Sequence, residues 1–171
     1  KLVPTKCPEG YPDLNPFWYK FTCYKAGTLG FMITPIDSAD DYDWQIFDIT
    51  DHDDNDVYTD SSLFVVCNWS GFSGPTGISP AGKSLVNCYG FGDSTFSSMP
   101  ILKVNHTYLL LVSHFNVFRP SDKGYQLSFG GGTASITDTL PPALQSVSTS
   151  CDAAKIYIKT NKKMKCSKIG R

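Results

Sequence analysis

A chain of 171 residues, 41% hydrophobic and 18% charged, with 23 aromatic side chains, has room for one folded domain and a fragment of another, which excludes a large multi-domain enzyme and a disordered polymer. Of its 16 acidic residues only Glu9 is a glutamate, and ten of the 15 aspartates lie between Asp37 and Asp60; Asp favours turns and hard-cation ligation over helix interiors, so the composition leans away from helix. Up to residue 150 the chain carries 8 basic and 15 acidic residues, net -7, and beyond it 7 and 1, net +6, so its two parts are electrostatically different.

Short stretches of β-branched and aromatic residues alternate with Gly, Pro, Asn, Asp and Ser clusters at spacings too short for helices. Phe17 to Thr22 is the first predicted strand, with Phe17, Tyr19 and Phe21 on one face. Thr28 to Thr34 follows with Leu29, Phe31 and Ile33 inward, then Trp44 to Ile49 with Trp44 and Ile46 inward. Leu63 to Cys67 and Tyr108 to Val112 are unbroken apolar runs, the pattern of central strands covered on both faces or lying between a core and a packed loop. Tyr125, Leu127 and Phe129 close the set. No window shows a 3.6-residue apolar period, so the expected fold is all-β, an antiparallel β-sandwich.

Gly130 to Gly132 and then Asp138-Thr139-Leu140-Pro141-Pro142 read as a domain end and a stiff linker, because Pro-Pro forces extended backbone. The expected organisation is a β-sandwich over 1–137, a linker over 138–142 and a C-terminal strand segment over 143–171, where Ile156, Ile158 and Thr160 alternate with Tyr157 and Lys159. So short a segment cannot bury a core alone; it either packs on the first domain or opens a second β domain. No stretch reaches the roughly 18 apolar residues of a membrane span, and Lys1 to Tyr11 hold no signal-peptide core, so an exported chain would be in mature form.

Cysteines at 7, 23, 67, 88, 151 and 166 form no C-x-x-C pair and lie in no histidine-rich neighbourhood, which argues for disulfides over zinc or redox motifs, and for an oxidising compartment. Spacing does not select the connectivity; pairing of neighbours would join Cys7 to Cys23, Cys67 to Cys88 and Cys151 to Cys166.

Asp40, Asp41 and Asp43, with Asp37, gather where one strand ends and another begins, and Asp41 and Asp43 share a face if extended. Hard oxygen ligands on a turn suit calcium, with Asn116, Ser121 or Asp122 completing the shell from the loop after the Leu-rich strand. The competing reading makes the same aspartates turn builders and amide caps. Asp51 to Asp56 begins like an EF-hand but lacks the sixth-position glycine and the final glutamate, so that motif is rejected and a solvated acidic loop is expected. Trp69, Phe72, Tyr89, Phe91 and Phe96 fall in a Gly/Ser-rich stretch over 68–98; aromatics on rigid loops serve binding, or else form a satellite cluster beneath the loop.

No G-x-S-x-G, H-E-x-x-H, G-x-G-x-x-G or P-loop pattern is present, and His52, His106 and His114 are scattered, so no catalysis is predicted. The basic tail from Lys155 holds one aromatic in an Ile-alternating strand pattern, which points to lysine-protected strand edges and not to nucleic acid.

Taken in order, Phe17-Trp18-Tyr19-Lys20-Phe21-Thr22, Gly27 to Pro35, Asp40-Asp41-Tyr42-Asp43-Trp44-Gln45-Ile46-Phe47-Asp48-Ile49-Thr50, Val66-Cys67-Asn68, Gly74 to Ile78, His106 to Val112 and Gly124 to Phe129 resemble a CUB-like or pre-peptidase-like, jelly-roll-like β-sandwich module of gliding-motility-associated surface proteins exported by type IX secretion in Bacteroidetes-type bacteria. The tail with Cys151 and Lys165-Cys166-Ser167-Lys168-Ile169 resembles the opening of an Ig-like module. The resemblance implies a secreted, cell-surface, non-catalytic module of an adhesin, a loop-bound cation, and O-glycans at Asp-Ser/Thr patterns, which place sugars on Ser38, Ser94 and Thr139.

The functional expectation is a disulfide-stapled extracellular binding and spacing module, stabilised by calcium, whose partners are other extracellular protein modules, surface glycans or copies of itself, with no nucleic acid and no membrane insertion. The alternatives are a carbohydrate-targeting accessory domain of a secreted hydrolase and a filament subunit assembling through its C-terminal strand.

Overall fold

A computed structural model describes residues 1–90, 94–115, 123–152 and 154–162. The first strands in chain order are β1 (Leu2–Val3), β2 (Tyr11–Pro12), β3 (Phe17–Thr22), β4 (Gly27–Thr28), β5 (Phe31–Pro35) and β6 (Tyr42–Asp48). After two 3₁₀ turns come β7 (Phe64–Asn68), β8 (Thr76–Ile78), β9 (Val86–Asn87), β10 (Phe96–Ser97), β11 (Ile101–Leu102), β12 (Thr107–His114) and β13 (Tyr125–Phe129). The last two are β14 (Leu144–Thr149) and β15 (Ile156–Thr160). The protein is all-β, and the chain divides into two compact units, Lys1–Thr137 and Asp138–Arg171.

In the first unit a five-stranded sheet ordered β3-β12-β6-β7-β9 faces a four-stranded sheet ordered β10-β8-β5-β13. Neighbours are antiparallel except β8 with β10 and β7 with β9. Side-chain alternation along β6 and β12 sorts the core. Trp44 and Ile46, with Tyr108, Leu110 and Val112, meet Phe31, Ile33 and Ile78 of the facing sheet. The Phe31 ring meets Trp44 edge-on at 4.8 Å, and Trp44 Nε1–H donates to Thr76 Oγ1 at 2.9 Å, which joins the sheets and satisfies the buried indole.

The opposite face of the five-stranded sheet is also buried. Phe47, Leu109, Leu111, Cys67 and Trp69 pack there against Val3, Cys7, Val57 and Leu63, so the cover comes from the N-terminal segment and the 3₁₀ turns. This is why Tyr108 to Val112 is unbroken in its hydrophobicity: β12 is buried on both sides. The acidic loop supplies caps. Asp53 accepts from Asn55 N–H while Asp56 accepts from Asp53 N–H, and Asp60 accepts from Ser62 N–H, so these turns hold Val57 and Leu63 inward.

Two expectations are corrected here. The strand predicted from Thr28 begins at Phe31, because Gly27–Thr28 pairs with Ile101–Leu102 instead. The neighbour pairing of cysteines is replaced by Cys7–Cys88, and Cys23 and Cys67 are buried thiols. Cys67 projects from β7 beneath the N-terminal segment, with its Sγ 3.7 Å from Thr5 Oγ1 and 3.9 Å from Asn87 O, and burial pushes its thiol up to about 11. Cys151 is exposed, and Cys166, its expected partner, lies outside the described residues.

The second unit is a β14–β15 antiparallel hairpin. Leu144, Val147, Ile156, Tyr157 and Ile158 are each more than half exposed.

Because Cys7–Cys88 closes a loop with a sequence separation of 81, its removal by Cys7→Ser with Cys88→Ser is expected to cost about 2–5 kcal/mol. Non-reducing peptide mapping should find that bond, and urea melts of the double variant should show the loss; recovery of Cys67–Cys88 peptides would refute the pairing.

Candidate functional site

Strand parity at the start of β6 separates three neighbouring aspartates. Asp40 turns to the sandwich side, where His114 Nε2 lies 3.5 Å from its Oδ1 and the His114 ring stacks on Tyr42 at 4.5 Å. Burial, then the charge of Asp40, raises the Tyr42 hydroxyl to about 12. Asp41 and Asp43 turn the other way, to the face covered by the N-terminal segment, and line a cavity of about 350 Å³ with Glu9, Tyr11, Trp69, Ser70, Gly71, Tyr89 and Phe115.

Three distant segments build the walls. Trp69 follows β7; its Nε1–H donates to Gln45 Oε1 at 3.1 Å, and Gln45 Nε2–H donates to Pro4 O at 2.7 Å, so one fully buried amide holds both the indole and the N-terminal segment. Tyr11 from β2 stacks on Trp69 with ring centres 4.8 Å apart and planes 6° from parallel. Tyr89, next to Cys88, donates its backbone N–H to the Tyr11 hydroxyl at 3.1 Å. The Cys7–Cys88 bond therefore fastens together the two segments that carry Tyr11 and Tyr89. A Cβ on Gly71 would come within 2.7 Å of the Tyr89 ring, so glycine there lets that ring lie against the backbone.

The cavity is acidic and rich in acceptors. Burial raises the Asp41 carboxyl to about 7; burial, then the charge of Asp41, raises Asp43 well above the usual carboxylate range. Asp41 Oδ1 and Ser70 Oγ are buried and have no hydrogen-bond partner among the described residues. Among the described residues no Lys, Arg or His lines the cavity. A second cleft, of about 300 Å³, is lined by Trp18, Asp54, Val57 and Tyr58, but its carboxylate is already paired with Lys20 at 2.7 Å.

The structure brings together Asp41, Asp43, Trp69 and Tyr89, which belong to two separate sequence-derived candidate sites. Asp40 is not part of that lining, and Phe72 is half exposed and stands outside it. Phe91, Asn116 and Asp122 lie outside the described residues, as does Ser121. No three His, Cys, Asp or Glu side chains among the described residues gather in a metal-holding arrangement; Glu9, Asp41, Asp43 and Ser70 supply hard oxygens to the lining without converging as calcium ligands would. Asp37 is a turn builder: its Oδ1 accepts from Ala39 N–H, and Lys123 lies 3.0 Å from its Oδ2. Ser38, Ser94 and Thr139 are exposed, whereas the buried Asn68 amide of an N-glycosylation pattern donates to Ser94 O and Ser97 Oγ. Sequence reasoning missed Glu9, Tyr11, Ser70 and Phe115; the true cysteine pairing was the signal that would have put Tyr11 beside Tyr89.

Comparison of the chain with protein-family models, with curated proteins and with solved structures found no match. No helix among the described residues is long and apolar enough to cross a membrane.

The raised carboxyls set a pH dependence. The folded state holds a proton on Asp41 up to about pH 7, whereas the unfolded chain releases it near its ordinary value of about 4, so this group's contribution to stability is lost as pH rises from about 4 to 7. In metal-free buffer, Asp41→Asn is expected to change stability little at pH 4.5 and to raise the melting temperature by a few degrees at pH 7.5; an equal effect at both values would refute the assignment.

Proposed function

We propose that residues 1–137 form a non-catalytic, extracellular ligand-binding module of the CUB-like β-sandwich kind, in a bacterial cell-surface adhesin or surface assembly, and that its ligand enters the cavity between the N-terminal segment and the five-stranded sheet. The observation that carries this reading is a cavity lined by four aromatic rings and three carboxyls in which buried acceptors are unpartnered. Folded proteins satisfy buried polar groups, so acceptors left open in a concave aromatic site mark a place where a ligand supplies the donors. Asp41 and Asp43 stand side by side on one strand face, which suits recognition better than the facing carboxyls of glycoside hydrolysis. The disulfide, which fastens the cavity walls, accords with work outside the cytoplasm.

A second reading, the targeting domain of a secreted hydrolase, draws on the exposed Tyr89 and Phe115 rings at the cavity mouth, since such faces also stack on sugar rings.

The test uses the oxidised full chain on arrays of polysaccharides and of extracellular proteins, beside a Tyr89→Ala, Phe115→Ala variant. The variant removes two exposed rings and should keep the wild-type melting temperature while losing roughly tenfold or more in affinity for whatever the wild type retains. Equal retention by both proteins would refute the cavity as the binding site.

A further inference from the structure

Building on that cavity, we infer that it recognises an organic cation, a primary ammonium or guanidinium group carried on an aliphatic stem. The inventory of donors and acceptors leads there. Among the described residues the walls offer the carboxyls of Glu9, Asp41 and Asp43, the Ser70 hydroxyl and the rings of Tyr11, Trp69, Tyr89 and Phe115, and no cationic side chain. Ser70 is 4% exposed and Asp43 5% exposed, and Ser70 Oγ and Asp41 Oδ1 have no hydrogen-bond partner among the described residues.

An ammonium group has three donors and no acceptor, and a guanidinium has five donors and none. Either complements a site of carboxylate oxygens and rotatable hydroxyls without leaving lone pairs of its own unpaired. A sugar hydroxyl carries no charge for the carboxyls to pair with and gains no electrostatic attraction from the ring faces. The rings add attraction specific to a cation, since the faces of Trp and Tyr are negative and act over about 6 Å. A divalent metal takes oxygen ligands and not ring faces, and no three His, Cys, Asp or Glu side chains among the described residues gather to hold one.

Among the described residues no Lys, Arg or His side chain lines the cavity, and several of the chain's cations are engaged elsewhere. Lys20 is committed to Asp54, the N-terminal ammonium to Asp13 and Lys123 to Asp37, while Lys1 Nζ sits 3.8 Å over the Tyr58 ring, on the lining of the second cleft. At about 350 Å³ the cavity lies near the small end of the roughly 300–1,000 Å³ typical of ligand sites. That volume suits one side chain or one small amine and not an extended polymer.

The experiment titrates the oxidised full chain with Nα-acetyl-lysine amide, Nα-acetyl-arginine amide, butylamine, the uncharged isostere Nα-acetyl-norleucine amide and methyl β-glucoside, following the Trp69 indole N–H by NMR. The cations should shift that signal with affinity on the order of millimolar, and the norleucine amide should bind roughly tenfold more weakly or worse. Asp41→Asn, Asp43→Asn and Gly71→Ala should each weaken the lysine amide by roughly tenfold; Gly71→Ala touches no carboxyl and displaces only the Tyr89 ring. Butylamine matching the lysine amide would identify a small free amine as the source, and tighter binding of the amide would identify a partner protein's side chain; either supports the inference. Binding of the glucoside without the cations would overturn it while leaving the cavity a binding site. Displacement of the lysine amide by millimolar calcium would overturn it by assigning the carboxyls to metal. Absence of any binding would end both readings.

Discussion

Burial of the five-stranded sheet on both faces is the constraint on which the rest of this molecule depends. A sheet with one apolar face needs one covering layer; β6 and β12, buried along nearly their whole length, need two. The facing four-stranded sheet is the first. The second joins the 3₁₀ turns that carry Val57 and Leu63 to a short N-terminal segment, which has few backbone pairings of its own, chiefly the two-residue β1–β2 ladder. Its attachment therefore rests on side chains and one covalent bond: Gln45 to Pro4 O, Tyr11 against Trp69, and Cys7 to Cys88. Such a cover leaves an incomplete seam where it meets the end of the sheet, and the cavity is that seam.

The same geometry decides the electrostatics of the aspartate cluster. Two-residue periodicity sends Asp40 and Tyr42 toward His114, and Asp41 and Asp43 under the cover. Two carboxyls brought out of water on one strand face, each with its ionised form disfavoured by burial, oppose folding near neutral pH, and burial of this kind persists where something else repays it. The proposed function names that compensation as a ligand, and the aromatic lining limits its chemistry to groups attracted by ring faces.

The cysteines show how far local reasoning reaches. That a disulfide forms was legible from their number and spacing, but not that Cys23 and Cys67 stay thiols, and pairing by proximity in sequence failed, because what brings Cys7 to Cys88 is the return of the N-terminal segment across the sheet. Once made, the bond places Tyr11 and Tyr89 together and leaves Cys67 buried near it, Asn87 O lying within 4 Å of both Cys7 Sγ and Cys67 Sγ. A thiol held there in its protonated form is a poor nucleophile, consistent with a stable native pairing.

By itself the sequence determined the all-β class, the inward alternation of Phe31 with Ile33 and of Trp44 with Ile46, the doubly covered character of Tyr108 to Val112 and the shared face of Asp41 and Asp43. These follow from side-chain periodicity and turn chemistry, which act over a few residues. Tertiary structure alone decided which segment covers the second sheet face, which cysteines meet, and that the aspartates at the start of β6 share one cavity with Trp69 and Tyr89. Those outcomes rest on contacts between residues tens of positions apart, set by how the sheet's two apolar faces are covered, and no local pattern encodes that choice.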